Sequence, residues 1–225
     1  MIVPSMTVQE IHKEVFEDIN NLHIKLEECC LDFKKYVLKA SHYPLTKSYN
    51  LKSGKKKNVF IVDLVANKRS DWKDPILSIH ALYSRPEGKY AVAPTIDKGL
   101  STIYPPHFFQ RVRERIIKDT SISSEDLMKL YFKNDWGFVG AVIDENYKSV
   151  YHSFETSSKD EKISFVAATS QGYCFGERQG NVNIIKTIVS EDMLFENQKL
   201  IFSKLKNDFK EMNAQRYGTP FPTKF

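Results

Sequence analysis

Residues 104–116, YPPHFFQRVRERI, gather one histidine, three arginines and one glutamate into a stretch that reads as a short helix. An imidazole moves protons near neutral pH. A guanidinium holds a phosphate and stabilises the charge that builds up in a phosphoryl transition state. On a helical wheel with His107 at 0°, Arg111 falls near about 40°, Glu114 near about −20° and Arg115 near about 80°. Phe108, Val112 and Ile116 fall between about 100° and 180°, with Phe109 near about 200° and Arg113 near about 240°. The wheel predicts a polar stripe along the edge of a buried face, where side chains lean over a groove. Pro106 ahead of His107 suits a helix start, whose unpaired N–H groups attract anions. Charged i, i+4 edges are also common on solvated helices, and Glu114 stands four residues before Lys118, a spacing that supports a helix by itself.

His107, Arg111, Glu114 and Arg115 spell H-x-x-x-R-x-x-E-R. Ser123, Glu125, Asp126 and Leu127 follow in an S-x-E-D-L helix start, and β-rich sequence comes after. This pattern resembles bacterial toxin-like proteins in which an H-A-x-x-R-x-x-E-R-G-I helix precedes an S-x-x-D/E-I/V helix and a small sheet. That group is likened to the barnase, colicin and RelE-like ribonuclease fold. The resemblance spans about residues 104–190; Phe108 stands where the pattern has a small residue, and Ile116-Ile117 where it has Gly-Ile. It implies a metal-independent ribonuclease needing no cofactor, with RNA as partner. His107, Arg111 and Glu114 would form the catalytic set, His107 as general acid or base, and Arg115 would bind phosphate with Arg111. It also implies that the strand at 181–190 lies near the helix, so that either Lys186 or Thr187 faces the site. Tyr173 and Arg178 would then supply base stacking and a phosphate contact.

Charge distribution points the same way. Residues 51–118 carry fourteen Lys/Arg against six Asp/Glu, a net +8, whereas residues 1–40 carry five Lys against seven Asp/Glu, a net −2. A basic middle favours polyanions. The competing reading is a non-enzymatic interaction protein, of the kind carried by phages and mobile elements, that assembles through its N-terminal helix with a protein partner or a second copy. A metal hydrolase fits less well: the six histidines are scattered without H-E-x-x-H or H-x-H spacing, and His152 with Asp144 and Glu155 is the only local cluster. No G-x-G-x-x-G or P-loop motif occurs. Three cysteines, two of them adjacent (Cys29, Cys30, Cys174), make a poor disulfide framework, and the N-terminus lacks a secretory pattern; both predict a cytoplasmic, reducing location without membrane association.

The elements that must position these residues follow from periodicity. Thr7 and Glu10 form a capping box for one helix over 7–40, with Val8, Ile11, Val15, Ile19, Leu22, Leu26, Cys29, Phe33 and Val37 on one stripe. That stripe packs on the protein's body or on a partner helix. Strands are expected at 59–66, 76–83, 89–95, 137–144, 149–155, 162–170 and 181–190, and short helices near 107–118 and 122–134. QGYCFGERQG reads as a long connection, 191–213 as a closing helix. Hairpins without regular βαβ alternation predict an α+β fold, mainly antiparallel. The expected organisation is an N-terminal helical segment (1–50), an α+β domain (51–213) and a loose tail (214–225).

Overall fold

The chain builds two compact units, Met1–Ser101 and Thr102–Phe225; residues 1–50, expected to be a helical segment, end in a strand that begins at Leu45 and share their unit with the strands that follow. The structure, a computed structural model, describes residues 1–135, 137–143 and 162–217. The expected strand at 149–155, the Asp144-Glu145-Asn146 turn, His152, Glu155 and residues 218–225 lie outside the described residues. Both units combine helices with mostly antiparallel strands, an α+β organisation.

In the first unit α1 (Val8–Ile19) opens on the expected capping box: Thr7 N–H donates to Glu10 Oε2 at 2.7 Å and Glu10 N–H to Thr7 Oγ1 at 3.3 Å. The single helix expected over 7–40 is in fact two, because α2 begins afresh at His23 and runs to Lys39. Two consecutive asparagines explain the break. Asn21 Nδ2 donates to Glu17 O at 3.1 Å, and tight turns close from Asn21 N–H to Asp18 O and from Leu22 N–H to Ile19 O; such short amide side chains compete with the helical ladder. The apolar stripe survives the interruption, with Ile11, Val15, Leu22, Cys29, Phe33 and Val37 all buried.

Strands β1 (Leu45–Lys52), β2 (Val59–Ala66), β3 (Ile76–Arg85) and β4 (Gly88–Thr95) pair antiparallel in sequence order. β1 escapes sequence reading because lysines, a serine and an asparagine dilute its alternation. Lys47 and Tyr49 stand opposite Leu64 and Val62, on one sheet face. Asp32 of α2 accepts from Lys47 Nζ at 2.5 Å and from Tyr49 Oη at 2.7 Å, which fixes α2 over that face. His80, in β3, is buried, and burial pushes its imidazole down to about 3.

In the second unit, β5 (Leu100–Tyr104, entering at Thr102), β6 (Phe138–Val142), β7 (Lys162–Thr169), β8 (Tyr173–Gln179) and β9 (Val182–Val189) are ordered β5-β9-β8-β7-β6. Helices α3 (Pro106–Val112) and α4 (Ser124–Lys133) pack together, and α3 lies against β9. Helix α5 (Glu196–Tyr217) packs over β6 and β7. Its Phe202, Leu205 and Phe209 join Ala141, Val166, Ala168 and Tyr173 in one core. α5 starts five residues later than expected and takes in residues 214–217, assigned from sequence to the tail. Residues 191–193 form a separate 3-10 turn.

QGYCFGERQG is not a connection but strand β8. Its glycines mislead because two of them serve close packing. A Cβ on Gly176 would meet Ile184 O at 2.6 Å and the Phe165 ring at 2.8 Å. A Cβ on Gly172, where φ is +150°, would meet Val189 O at 2.6 Å. Gly172→Ala is therefore expected to cost about 1–3 kcal/mol, read as a lower urea midpoint. Gly54→Ala, where nothing lies within 4 Å of the added methyl, is expected to leave the midpoint unchanged within experimental error.

Candidate nucleic-acid interface

The chain leaves β5 at Tyr104, and Pro105-Pro106 start α3 with Pro106 in its first turn. Phe108, Phe109 and Val112 are buried, whereas His107, Gln110 and Arg111 are exposed, as the wheel predicts. The buried side locks into a five-ring cluster. Tyr104, Phe108 and Phe109 meet Tyr131 and Phe132 of α4, with ring centroids 5.2 to 6.3 Å apart and mostly edge-to-face. Edge-to-face contacts are favoured by the ring quadrupole, so the outward direction of His107 and Arg111 is set by what lies beneath them.

Past Val112 the regular wheel fails. Arg113–Ile117 form a π turn, closed by Lys118 N–H donating to Arg113 O at 2.8 Å, and Lys118 adopts a left-handed φ of 57°. The wider i→i+5 turn re-aims every side chain after it. Arg115 does not run along the His107 edge. Its Nη1 donates to Thr187 Oγ1 at 3.2 Å and to Ile188 O at 2.9 Å, tying the helix to β9. Arg113 Nη2 donates to Ile122 O at 3.0 Å, which holds the segment ahead of α4. Arg111 Nη1 meets Glu114 Oε2 at 2.7 Å, and Gln110 Nε2 meets Glu114 Oε1 at 2.9 Å. The Arg111 bond, then that of Gln110, hold the Glu114 carboxyl below its usual range. It is a poor proton donor, and it serves here as an acceptor for its own helix.

Of the eight residues singled out from sequence, the structure brings Arg115 and Thr187 into direct contact and leaves His107, Arg111 and Glu114 on the neighbouring exposed edge. Lys186 is turned away from Thr187 along the strand and pairs with Glu177. Tyr173 and Arg178 correct the sequence reading: both are buried. The Tyr173 ring packs on Phe202, 4.7 Å between centroids, so neither of its faces is open to a base. Arg178 Nε reaches Gly180 O at 3.4 Å inside the protein. A cleft of about 310 Å³ lined by Tyr173, Glu191, Asp192, Leu194, Lys199 and Ser203 lies beside the start of α5, and neither His107 nor Arg111 borders it.

The basic middle of the chain is partly spoken for. Lys56, in the SGKKKN turn, donates to Glu14 at 2.6 Å and Glu17 at 2.8 Å. Asn58 Nδ2 donates to Asp18 Oδ2 at 2.8 Å. Burial pushes the Glu14 carboxyl up, but the bonds from Lys56, the Met1 amino group and Asn58 outweigh it and hold it at about 2. Acidic side chains of α1 thus meet the basic SGKKKN turn inside the first unit. Among the described residues no group of three or more His, Cys, Asp or Glu could hold a metal ion, and no helix is long and apolar enough to cross a membrane.

One titratable residue went unmarked in the sequence. Asp135 follows α4, accepts from Gly137 N–H at 3.1 Å and from Tyr104 Oη at 3.2 Å, and lies close enough to the buried Cys174 thiol to help raise it. Tyr131 faces the same spot. Burial pushes the Asp135 carboxyl up to about 7, against the two hydrogen bonds that pull it down. An Asp-x-Gly step just past a helix end is the available sequence signal, since that spacing favours the side chain bonding the glycine N–H.

Comparison with protein-family models, with curated proteins and with solved structures finds no match to this chain.

Asp135 yields a signed prediction. Its folded-state pKa exceeds the unfolded value of about 3.9, so the folded protein binds the extra proton between about 4 and about 7 and this contribution to stability fades as pH rises through that window. The urea midpoint of Asp135→Asn relative to wild type is expected to climb from pH 4 to about 7 and level off above it. A difference that is flat across the range would remove the assignment.

Proposed function

We propose that the second unit binds RNA along the exposed α3 edge, with His107 as the proton-transfer group of a metal-independent phosphodiester cleavage. The observation that carries this reading is the Arg115 bridge to Thr187 Oγ1 and the Ile188 carbonyl. It joins Arg115, a position of the ribonuclease-like motif, to Thr187, 72 positions on and one of the two candidates on the strand expected near the helix. Nη1 makes both bonds, so the rest of the guanidinium fork is held in a fixed direction for an anion. Arg111 adds a second cation at little cost, because its pair with Glu114 is exposed on both sides and such pairs contribute about 0–1 kcal/mol.

In this reading the ribose 2′-hydroxyl attacks the adjacent phosphorus, and the 5′-oxygen leaves. A cyclic 2′,3′-phosphate and a 5′-hydroxyl result. His107 takes the 2′ proton or supplies the 5′ one, and water exchanges the other. Glu114 positions Arg111. Lys186, held by Glu177, contributes field rather than contact.

Binding and cleavage are tested separately on a single-stranded RNA oligonucleotide in chelator. Wild type is expected to bind with a log–log salt slope of about −0.7 per phosphate contacted. Arg111→Ala should weaken binding about 5-fold and make that slope shallower. His107→Ala should bind as wild type does and lose cleavage by about 10²-fold or more. Affinity that does not change with salt would end the polyanion reading; equal cleavage by wild type and His107→Ala would end the catalytic one.

A further inference from the structure

The stripe of α2 that faces inward is fully used by its own unit, yet the opposite side carries a second apolar line. Ile24, Leu31 and Leu38 are 60%, 62% and 36% exposed and lie seven residues apart. With buried Phe33 at 0°, they fall near about 180°, 160° and 140°, a line that runs the length of the helix. Four charges flank it. Glu27 and Lys34 lie on one side, near about 120° and 100°. Glu28 and Lys35 lie on the other, near about 220° and 200°. Lys34 is kept on its flank by the Trp72 ring, 4.0 Å from its Nζ.

We propose that α2 pairs antiparallel with α2 of a second copy of this chain, about a two-fold axis at Leu31. The charge pattern selects this occupant and this direction. In an antiparallel pair each flank meets the same flank of its partner. Leu31 then meets Leu31, and Ile24 meets Leu38 at both ends. Glu27 faces Lys34 on one side and Glu28 faces Lys35 on the other, each contact made twice. A parallel, in-register pair would instead set Glu27 beside Glu28 and Lys34 beside Lys35, which repel. The surface is thus complementary to itself and not to its parallel alternative, the signature of an isologous contact that closes as a dimer. The helix has 17 residues, about 25 Å, and gives a narrow seam, so association depends on concentration. This line lies on the face opposite the stripe that sequence periodicity picks out.

The full chain is weighed in solution by sedimentation equilibrium from roughly 1 to 200 μM. Wild type is expected to rise from 26.1 kDa toward twice that mass. Leu31→Glu should stay at 26.1 kDa throughout. Glu28→Lys should weaken the dimer about 10-fold, and adding Lys35→Glu should recover it. Leu31→Cys should cross-link to a dimer on mild oxidation, while wild type, whose Cys29 is buried and Cys30 half-buried, should not. All substituted residues are exposed, so folding is retained. A wild type that remains at 26.1 kDa, a Leu31→Glu variant that still dimerises, or a Glu28→Lys/Lys35→Glu pair no stronger than Glu28→Lys would each overturn the proposal.

Discussion

The five-ring cluster beneath α3 is the constraint on which the exposed edge of that helix depends. Tyr104, Phe108, Phe109, Tyr131 and Phe132 come from a strand end and two helices, so three elements converge on one apolar contact. The cluster gives α3 a single rotation about its axis, since turning it would drive Phe108 or Phe109 into water. His107 and Arg111 face outward for that reason. The same cluster carries a polar exit: Tyr104, packed in it by its ring, donates its hydroxyl to Asp135.

Much of this arrangement is legible in the sequence where one rule acts alone. Phe108, Phe109 and Val112 fall on the buried side of a plain helical wheel. The capping box at Thr7 and Glu10 and the cap at Ser123, whose Oγ accepts from Asp126 N–H, follow from local chemistry. The hairpin of β3 and β4 follows from its turn residues. Reading fails where tertiary contacts override the local signal. Gly176 looks like a turn residue and is a packing residue. Asn20 and Asn21 interrupt a periodicity that the buried side chains on either side continue. Arg115 sits within a π turn that no wheel anticipates, so its partnership with Thr187 emerges only in three dimensions. Tyr173 and Arg178 carry functional-looking side chains, yet the strand they belong to buries them.

Net charge also needs its geometry. A segment with a large positive excess looks like a polyanion surface, but α1 folds its acidic residues onto the SGKKKN turn, and Glu14 and Glu17 take up Lys56. Lys56 is thereby committed to its own unit. Salt bridges formed within a unit lower the field outside it, so local pairing, not the sum of charges, decides where a phosphate backbone is attracted.

The wide turn at Arg113–Ile117 has a mechanical meaning. Three arginines spaced two residues apart end on three different bodies: Arg111 on its own helix, Arg113 on the backbone leading to α4, and Arg115 on strand β9. The segment works as a three-way joint. A displacement of this segment would have to break hydrogen bonds to the backbone ahead of α4 and to β9 together.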